Sequence, residues 1–461
     1  MKRTSKGVAI AKSAQEQDIT VRADQRVRKN RQAAKGGPSR KSPTAAPGST
    51  GRIVKRFSAP GVQYAVIEMG KVTRFALMVT PVSRGPVHIQ LGEALRSLRT
   101  VLDHQPEKMH VTVQTVFLKD ADDQTLCEQI LAARYLDEPP VTTFVHQPPC
   151  TGAALAIEVW ATGGKGVYVE RPLPNVLQVS MGNVTWTHCG GITPRIKTGG
   201  VYEQSLDAFR QMKQKLKGAG VEMDHLIRTW LYLGNITGPE GDLERYMELN
   251  RARTDFYEGV RFGRGHVMAG AGQAVYPAST GIGMCGMGIT MSATAIDTDR
   301  KDVFILPLEN PQQTPVYEYA AVYSPKSPKF VRALAEAIGD YVVIWISGTA
   351  SIVSSKTLHS GNPGKQAEQT LTNIELLLSQ KNLARHGAPG AGAALRDLAK
   401  LRVYVKRPQD YPTIRKVCEK RCGKNIPIIY VVADVCRSDL LVEMEGLAFV
   451  KRSSKSQRTG P

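Results

Sequence analysis

No apolar run in this chain of 461 residues approaches the roughly 20 residues that a bilayer crossing needs. The amino-terminal M-K-R-T-S-K never develops the apolar stretch of a secretory signal, and Glu16 and Asp18 argue against a transit peptide. A cytoplasmic protein without membrane contact is the expectation. Aromatic residues are few, at 6%, but hydrophobic residues reach 42%, the ordinary share for a globular chain with a sizeable core. Cysteines number seven, an odd count scattered through apolar runs, which argues for reduced, structural thiols. Cys418 and Cys422 stand four apart on an expected helix, but no His/Cys pair at ligand spacing accompanies them. Neither a metal nor another cofactor is therefore expected.

Acid is what the two ends lack. Of the net charge of +20, most is carried by residues 1–56, with fifteen Lys/Arg against three Asp/Glu, and by residues 451–461, with four against none. The body between them is nearly neutral, so any attraction to phosphate belongs to solvated tails and implies at most weak nucleic-acid contact. Gly, Ser, Pro and Lys dominate the stretch from Lys35 to Arg56 and cannot build a core, so the tails 1–51 and 451–461 are expected to be disordered. The glycine-rich stretch 263–272 lacks the Gly-Lys-Ser/Thr of a phosphate loop and reads as a connector.

What the chain does hold is one order of elements written three times. Met69-Gly70-Lys71-Val72-Thr73, followed by Thr80-Pro81, returns as Met181-Gly182-Asn183-Val184-Thr185, followed by Thr193-Pro194. Apolar residues three and four apart predict helices over 89–102, 205–218 and 366–383. Alternation predicts strands over 110–118, 226–233 and 398–405, with second helices over 123–135, 243–257 and 411–421. Each copy then closes on what reads as an antiparallel hairpin. In the third, β-rich runs 428–433 and 440–449 flank a polar turn at Arg437-Ser438-Asp439. The fold class is α+β, with units at 52–164, 165–300 and 301–450. Packed as a pseudo-threefold trimer with the sheets inside, they would bury each sheet's second face within one monomer.

Carboxylates mark the candidate site. Alternation puts Glu443 and Glu445 on one face of the last strand, between Val442, Met444 and Leu447. An acid on an apolar strand is costly unless it is paired or used, whereas on an edge strand it merely wets the outer face. Laid side by side, the three closing strands match Glu158 with Thr290 and Glu443, which makes Glu158 a candidate for a second pocket.

A set of stretches carries a family resemblance. They are Arg253-Thr254-Asp255-Phe256-Tyr257, Tyr276-Pro277-Ala278-Ser279-Thr280-Gly281-Ile282-Gly283, Leu308-Glu309-Asn310-Pro311, Tyr323-Ser324-Pro325, Ser347-Gly348-Thr349-Ala350-Ser351-Ile352 and the run from Cys436 to Glu443. In this order, over roughly residues 165–450, they resemble the chorismatase branch of the Rid (YjgF-like) superfamily. The resemblance implies three Rid/YjgF-like (chorismate-mutase-like) units, the first additional to a typical chorismatase. It implies a small carboxylic acid substrate, chorismate or a related enolpyruvyl acid. It puts Glu443 at the family's active-site glutamate and Cys436 where hydroxybenzoate-forming members have a cysteine. Tyr323 falls at a pocket tyrosine, Ser347-Gly348-Thr349 at the pocket-lining turn, and Thr280 within a second matching stretch. Arg437 and Arg253 are the nearest guanidinium groups for gripping carboxylates, though surface salt bridges would use them as well.

Two departures stand out. The arginine with which Rid deaminases hold a carboxylate would fall near Ile428 or Ile429, and its absence counts against imine hydrolysis. The Gly-His-Glu that usually follows Ser-Gly-Thr-Ala-Ser-Ile is Val353-Ser354-Ser355-Lys356 here, where Lys356 is either an anion contact or a solvated loop residue. The expected activity is release of pyruvate with Glu443 as general acid. The alternatives are a Rid-type enamine or imine deaminase and a non-catalytic metabolite-binding or RNA-associated protein.

Overall fold

The computed structural model describes residues 53–263, 265–267, 274–320 and 325–452. The amino-terminal basic tail 1–51, residues 453–461 of the other, most of the 263–272 connector and Tyr323 lie outside the described residues, whereas Lys451, expected to open the second tail, ends a strand. Among those described, three six-stranded sheets form, each from a continuous stretch of chain. The first holds β1 (Val54–Ala59), β2 (Val62–Met69), β3 (Val72–Val79), β4 (Met109–Leu118), β5 (Val141–Val145) and β6 (Leu155–Gly164). The second holds β7 (Tyr168–Leu173), β8 (Val176–Met181), β9 (Val184–Ile192), β10 (Leu226–Gly234), β11 (Ala278–Met284) and β12 (Ile289–Thr298). The third holds β13 (Val303–Leu308), β14 (Ala333–Ile338), β15 (Tyr341–Ala350), β16 (Leu398–Val405), β17 (Ile428–Val432) and β18 (Val442–Lys451).

All three sheets have one strand order. The first three strands form an antiparallel meander, the sixth joins the third, and the fourth lies between the sixth and the fifth. Met69-Gly70-Lys71-Val72 and Met181-Gly182-Asn183-Val184 make the tight turn between second and third strands, where Gly70 (φ 67°) and Gly182 (φ 53°) take the left-handed backbone that favours glycine.

The closing hairpins read from the sequence do not form. β16 separates β17 from β18, pairing parallel with the first and antiparallel with the second. β4 and β10 intervene in the same way in the other sheets. Two strand-like runs with a polar turn between them describe a hairpin and a split pair equally well, and only the distant run 398–405 decides between them.

The ladders also correct the alignment of the three acids. Val72 pairs with Gly164, Val184 with Thr298 and Tyr341 with Lys451, so the equivalent positions six residues earlier are Glu158, Ser292 and Glu445. The opposite edge agrees: Thr115 faces Glu158, Trp230 faces Ser292 and Arg402 faces Glu445. Glu443 corresponds to Thr290 and Ala156, not to Glu158. A slip of two residues preserves every inward and outward side chain, so alternation alone could not detect it.

Helices α1 (Val87–Asp103), α2 (Gln124–Tyr135), α3 (Val201–Gly218), α4 (Arg245–Phe256), α5 (Pro363–Leu378), α6 (Gln380–Arg385) and α7 (Tyr411–Cys422) cover one face of their own sheets. The helix expected over 366–383 breaks at Ser379, whose side chain accepts from Asn382 N and caps α6. The opposite faces of the three sheets join in one apolar core containing Trp186, Trp230, Trp345 and Phe449. With both faces covered, any charge on an inner face must find a partner there. No helix among the described residues is long and apolar enough to cross a membrane.

Candidate active site

A cavity of about 500 Å³ opens between the second and third sheets. Ser279 and Gly281 of β11 and Tyr246 and Asn250 of α4 line one side, and Arg332, Gly348, Cys436 and Glu443 line the other. The seam is stitched where Ser279 N donates to Ser347 Oγ at 2.9 Å and that hydroxyl donates to Val331 O at 2.6 Å.

Glu443 is only 4% exposed and sits on the central strand β18, where no wet edge is available. Burial, reinforced by the like charge of Glu445, pushes its carboxyl up to about 8, against the pull of Arg332 and Arg228. It is therefore a protonated acid at neutral pH. Glu445 meets the opposite fate. Burial alone would raise it, but Arg228, Arg402 and Lys400 hold it below the usual carboxylate range. It accepts from Arg228 Nη2 at 2.5 Å, from Trp230 Nε1 at 2.9 Å and from the Thr280 hydroxyl. Two carboxyls on one strand face are thus driven apart, one kept neutral and one ionised, the usual arrangement for dividing acid and electrostatic roles. Burial and then Glu443 lift the Cys436 thiol to about 12, so it is not a ready nucleophile.

Of the residues singled out from the sequence, Glu443, Cys436, Arg437, Gly348 and Lys356 line the cavity. Ser347 is buried in the seam, whereas Thr349 pairs with Met444 on the helix-covered face and its hydroxyl donates to Ser347 O at 2.9 Å. Thr280 serves Glu445. Arg253 stands behind the wall, 1% exposed, donating to Ser279 Oγ at 3.3 Å and Asn250 Oδ1 at 2.5 Å. Arg437 donates to Ser355 O at 2.8 Å, tying the Cys436 loop to the small hairpin of Ile352–Val353 and Lys356–Thr357. That hairpin is the structural form of the departure at 353–356, and it sets the exposed Lys356 at the cavity mouth.

Sequence reasoning missed Arg332. Its Nη2 donates to Tyr319 OH at 2.7 Å and Thr314 O at 3.2 Å, while its buried Nε has no hydrogen-bond partner among the described residues. An arginine heading the strand Ala333–Ile338, which is apolar apart from Glu336, was the available signal. Ile428, where a deaminase arginine was sought, lines a different cavity. Register puts Ser279 and Thr280 in the corresponding places on β11, where Ser279 lines this cavity, and neither is arginine.

Glu158 lines neither this cavity nor the one between the first and second sheets, and is buried in ion pairs with Lys400 and Arg402. A cavity of about 770 Å³ does lie between the first and second sheets, with Thr290 at the position corresponding to Glu443. Beside it the Asn175 side chain bridges Thr142 and Gly190, filling the space next to Gly191.

Residues 158–295 match the family model described as chorismatase FkbO/Hyg5-like, N-terminal. A 3-hydroxybenzoate synthase from Streptomyces hygroscopicus is 33% identical over 303 residues, which is 63% of this chain and 80% of that protein. The chain belongs to the chorismatase family. A chorismatase crystal structure superposes with a TM-score of 0.57 at 24% identity, covering 74% of this chain and 93% of its own, a likeness of fold. A RutC family protein from Pyrococcus abyssi, 27% identical over 131 residues and 94% of its length, ties this chorismatase-family enzyme to the wider Rid (YjgF-like) superfamily.

Proposed function

We propose that the enzyme releases pyruvate from chorismate, or from a closely related cyclic enolpyruvyl acid, with Glu443 as general acid. The observation that carries this reading is a neutral carboxyl in the cavity wall, surrounded by cationic side chains. Arg332, Arg437 and Lys356 supply guanidinium and ammonium groups for a substrate bearing two carboxylates. Glu443 delivers its proton to the enolpyruvyl methylene, and the electron pair of the vinyl C=C forms the new C–H bond. The resulting oxocarbenium ion takes up water, and the hemiketal collapses to pyruvate and a ring alcohol. Loss of water from the ring instead yields a hydroxybenzoate, the product class for which the S. hygroscopicus relative is named. Incubating the purified full chain with chorismate should release pyruvate, and its absence would remove the proposal.

Cys436 faces this same space as a small neutral thiol and is assigned to steering the ring toward the aromatic product. Cys436→Ala should leave pyruvate release within about tenfold of wild type while lowering the hydroxybenzoate fraction, read by chromatography of the ring products. An unchanged product ratio would reduce Cys436 to a packing residue.

We further infer three tandem units at 52–164, 165–300 and 301–450 around a pseudo-threefold axis within a monomer. The repeated strand order, the shared central core and the corresponding positions of the two cavities described support this arrangement.

A further inference from the structure

At the centre of the core lies a chain of buried charges that the catalytic reading leaves unused. Glu158 of β6 accepts from Lys400 Nζ and, at 2.5 Å, from Arg402 Nε. The same guanidinium donates from Nη1 to Tyr232 OH at 2.7 Å and from Nη2 to Thr115 Oγ1 at 3.0 Å, and its Nη1 lies 3.1 Å from Glu445 Oε1. Arg228 closes the other side of Glu445. Each of these five charged groups is no more than 3% exposed, and the three sheets all contribute. The register gives the chain its logic. Glu158 and Glu445 occupy equivalent positions in the first and third sheets, and Arg402 bridges them.

We propose that the first sheet acts on the active site through this chain: Glu158 is a positioning residue that clamps Lys400 and Arg402, fixing Arg402 against the carboxylate two residues from Glu443. The inference rests on reading Glu443 as the acid, but its test does not require turnover. Burial lowers Lys400 to about 8 against the pull of Glu158, so below that pH three cations, Lys400, Arg402 and Arg228, face two carboxylates, Glu158 and Glu445, and the cluster carries one excess positive charge. Glu443 sits beside it. The other groups facing Glu443 are Arg332 and Cys436 from the loops of the third unit, Tyr246 from α4, and Arg437 and Lys356 at the mouth. None of these is altered by substitutions at 158 or 400.

Removing one charge at a time moves the Glu443 proton in opposite directions. Glu158→Gln adds to the positive excess, favours ionised Glu443 and should displace its titration to lower pH by on the order of one unit. Lys400→Met cancels the excess and should displace it upward by a similar amount. The double variant Glu158→Gln/Lys400→Met keeps the original balance and should return the midpoint to near wild type. It also removes the buried unpaired lysine that could keep Glu158→Gln from folding.

The measurement is a carbon-13 carboxyl titration of the unliganded full chain, with the Glu443 resonance assigned by its loss in Glu443→Gln. It is read beside the pH profile of kcat/KM for pyruvate release. Opposite displacements with restoration in the double variant support the proposal. A midpoint that stays put in Lys400→Met, or moves the same way in both single variants, overturns it. If Glu443→Gln retains activity, the acid assignment falls, while the titration still decides whether the chain of charges reaches Glu443.

Discussion

Glu443→Gln should abolish pyruvate release from chorismate, lowering kcat by about 100-fold or more, with the melting temperature little changed. The wild-type carboxyl is neutral at pH 7 because burial and Glu445 raise it to about 8, so the amide replaces it without altering the charge of the cavity. What is lost is the transferable proton, and removal of a positioned general acid typically costs about 10²–10⁴-fold. The same shift fixes the pH dependence of the wild type. The acid form dominates below about 8, so kcat/KM should be level through neutrality and fall as pH rises past that value. The Glu443→Gln variant should lose this basic limb altogether. A variant that releases pyruvate at the wild-type rate would move the acid role to another group.

Much of this arrangement was legible in the sequence, and the failures have physical causes. Helices and strands with strong periodicity fell within a few residues of their expected places, as with the strand Leu398–Val405 and the helix Tyr411–Cys422. For Glu443 the strand pattern left two readings, a paired or used acid and the wet face of an edge strand, and only its burial on the central strand β18 decides between them. The errors came where a local pattern serves two structures. A hairpin and a split pair share one local signature, so the insertion of β16 beside β17 was invisible until the ladders were seen. A two-residue slip keeps the pleat in phase, so Glu158 was matched with the wrong glutamate. Side chains that meet only across sheets, such as Arg402 with Glu158 and Tyr232, leave no trace at any fixed sequence spacing. Arg332 escaped for a related reason: its role depends on Tyr319, Thr314 and the cavity, none of which a strand pattern reports.

Gly348→Ala should be nearly as damaging as loss of the acid itself, although it touches no reacting group. Gly348 was picked out as part of a pocket-lining turn, but the need for glycine there is one of space, since it is not among the residues with left-handed backbone. An alanine Cβ would collide with Glu443 Oε1, lie 3.0 Å from Glu443 Cδ and lie 3.3 Å from Thr280 Cγ2. Gly348 lies in the irregularity of the ladder between Ile346 and Thr349, but the backbone is held on both sides of it, where Ile346 pairs with Gly446, Thr349 pairs with Met444 and Ser347 N donates to Arg332 O at 3.0 Å. Thr280 cannot swing away without releasing Glu445. The Glu443 side chain must therefore leave its position in the cavity wall. Pyruvate release should fall by about 100-fold, with a stability cost of about 1–3 kcal/mol from overpacking. Activity together with thermal melting separates this from general unfolding: a folded, inactive variant is expected. Wild-type turnover by a folded Gly348→Ala protein would mean that the position held by Glu443 here is not the one from which a proton is delivered.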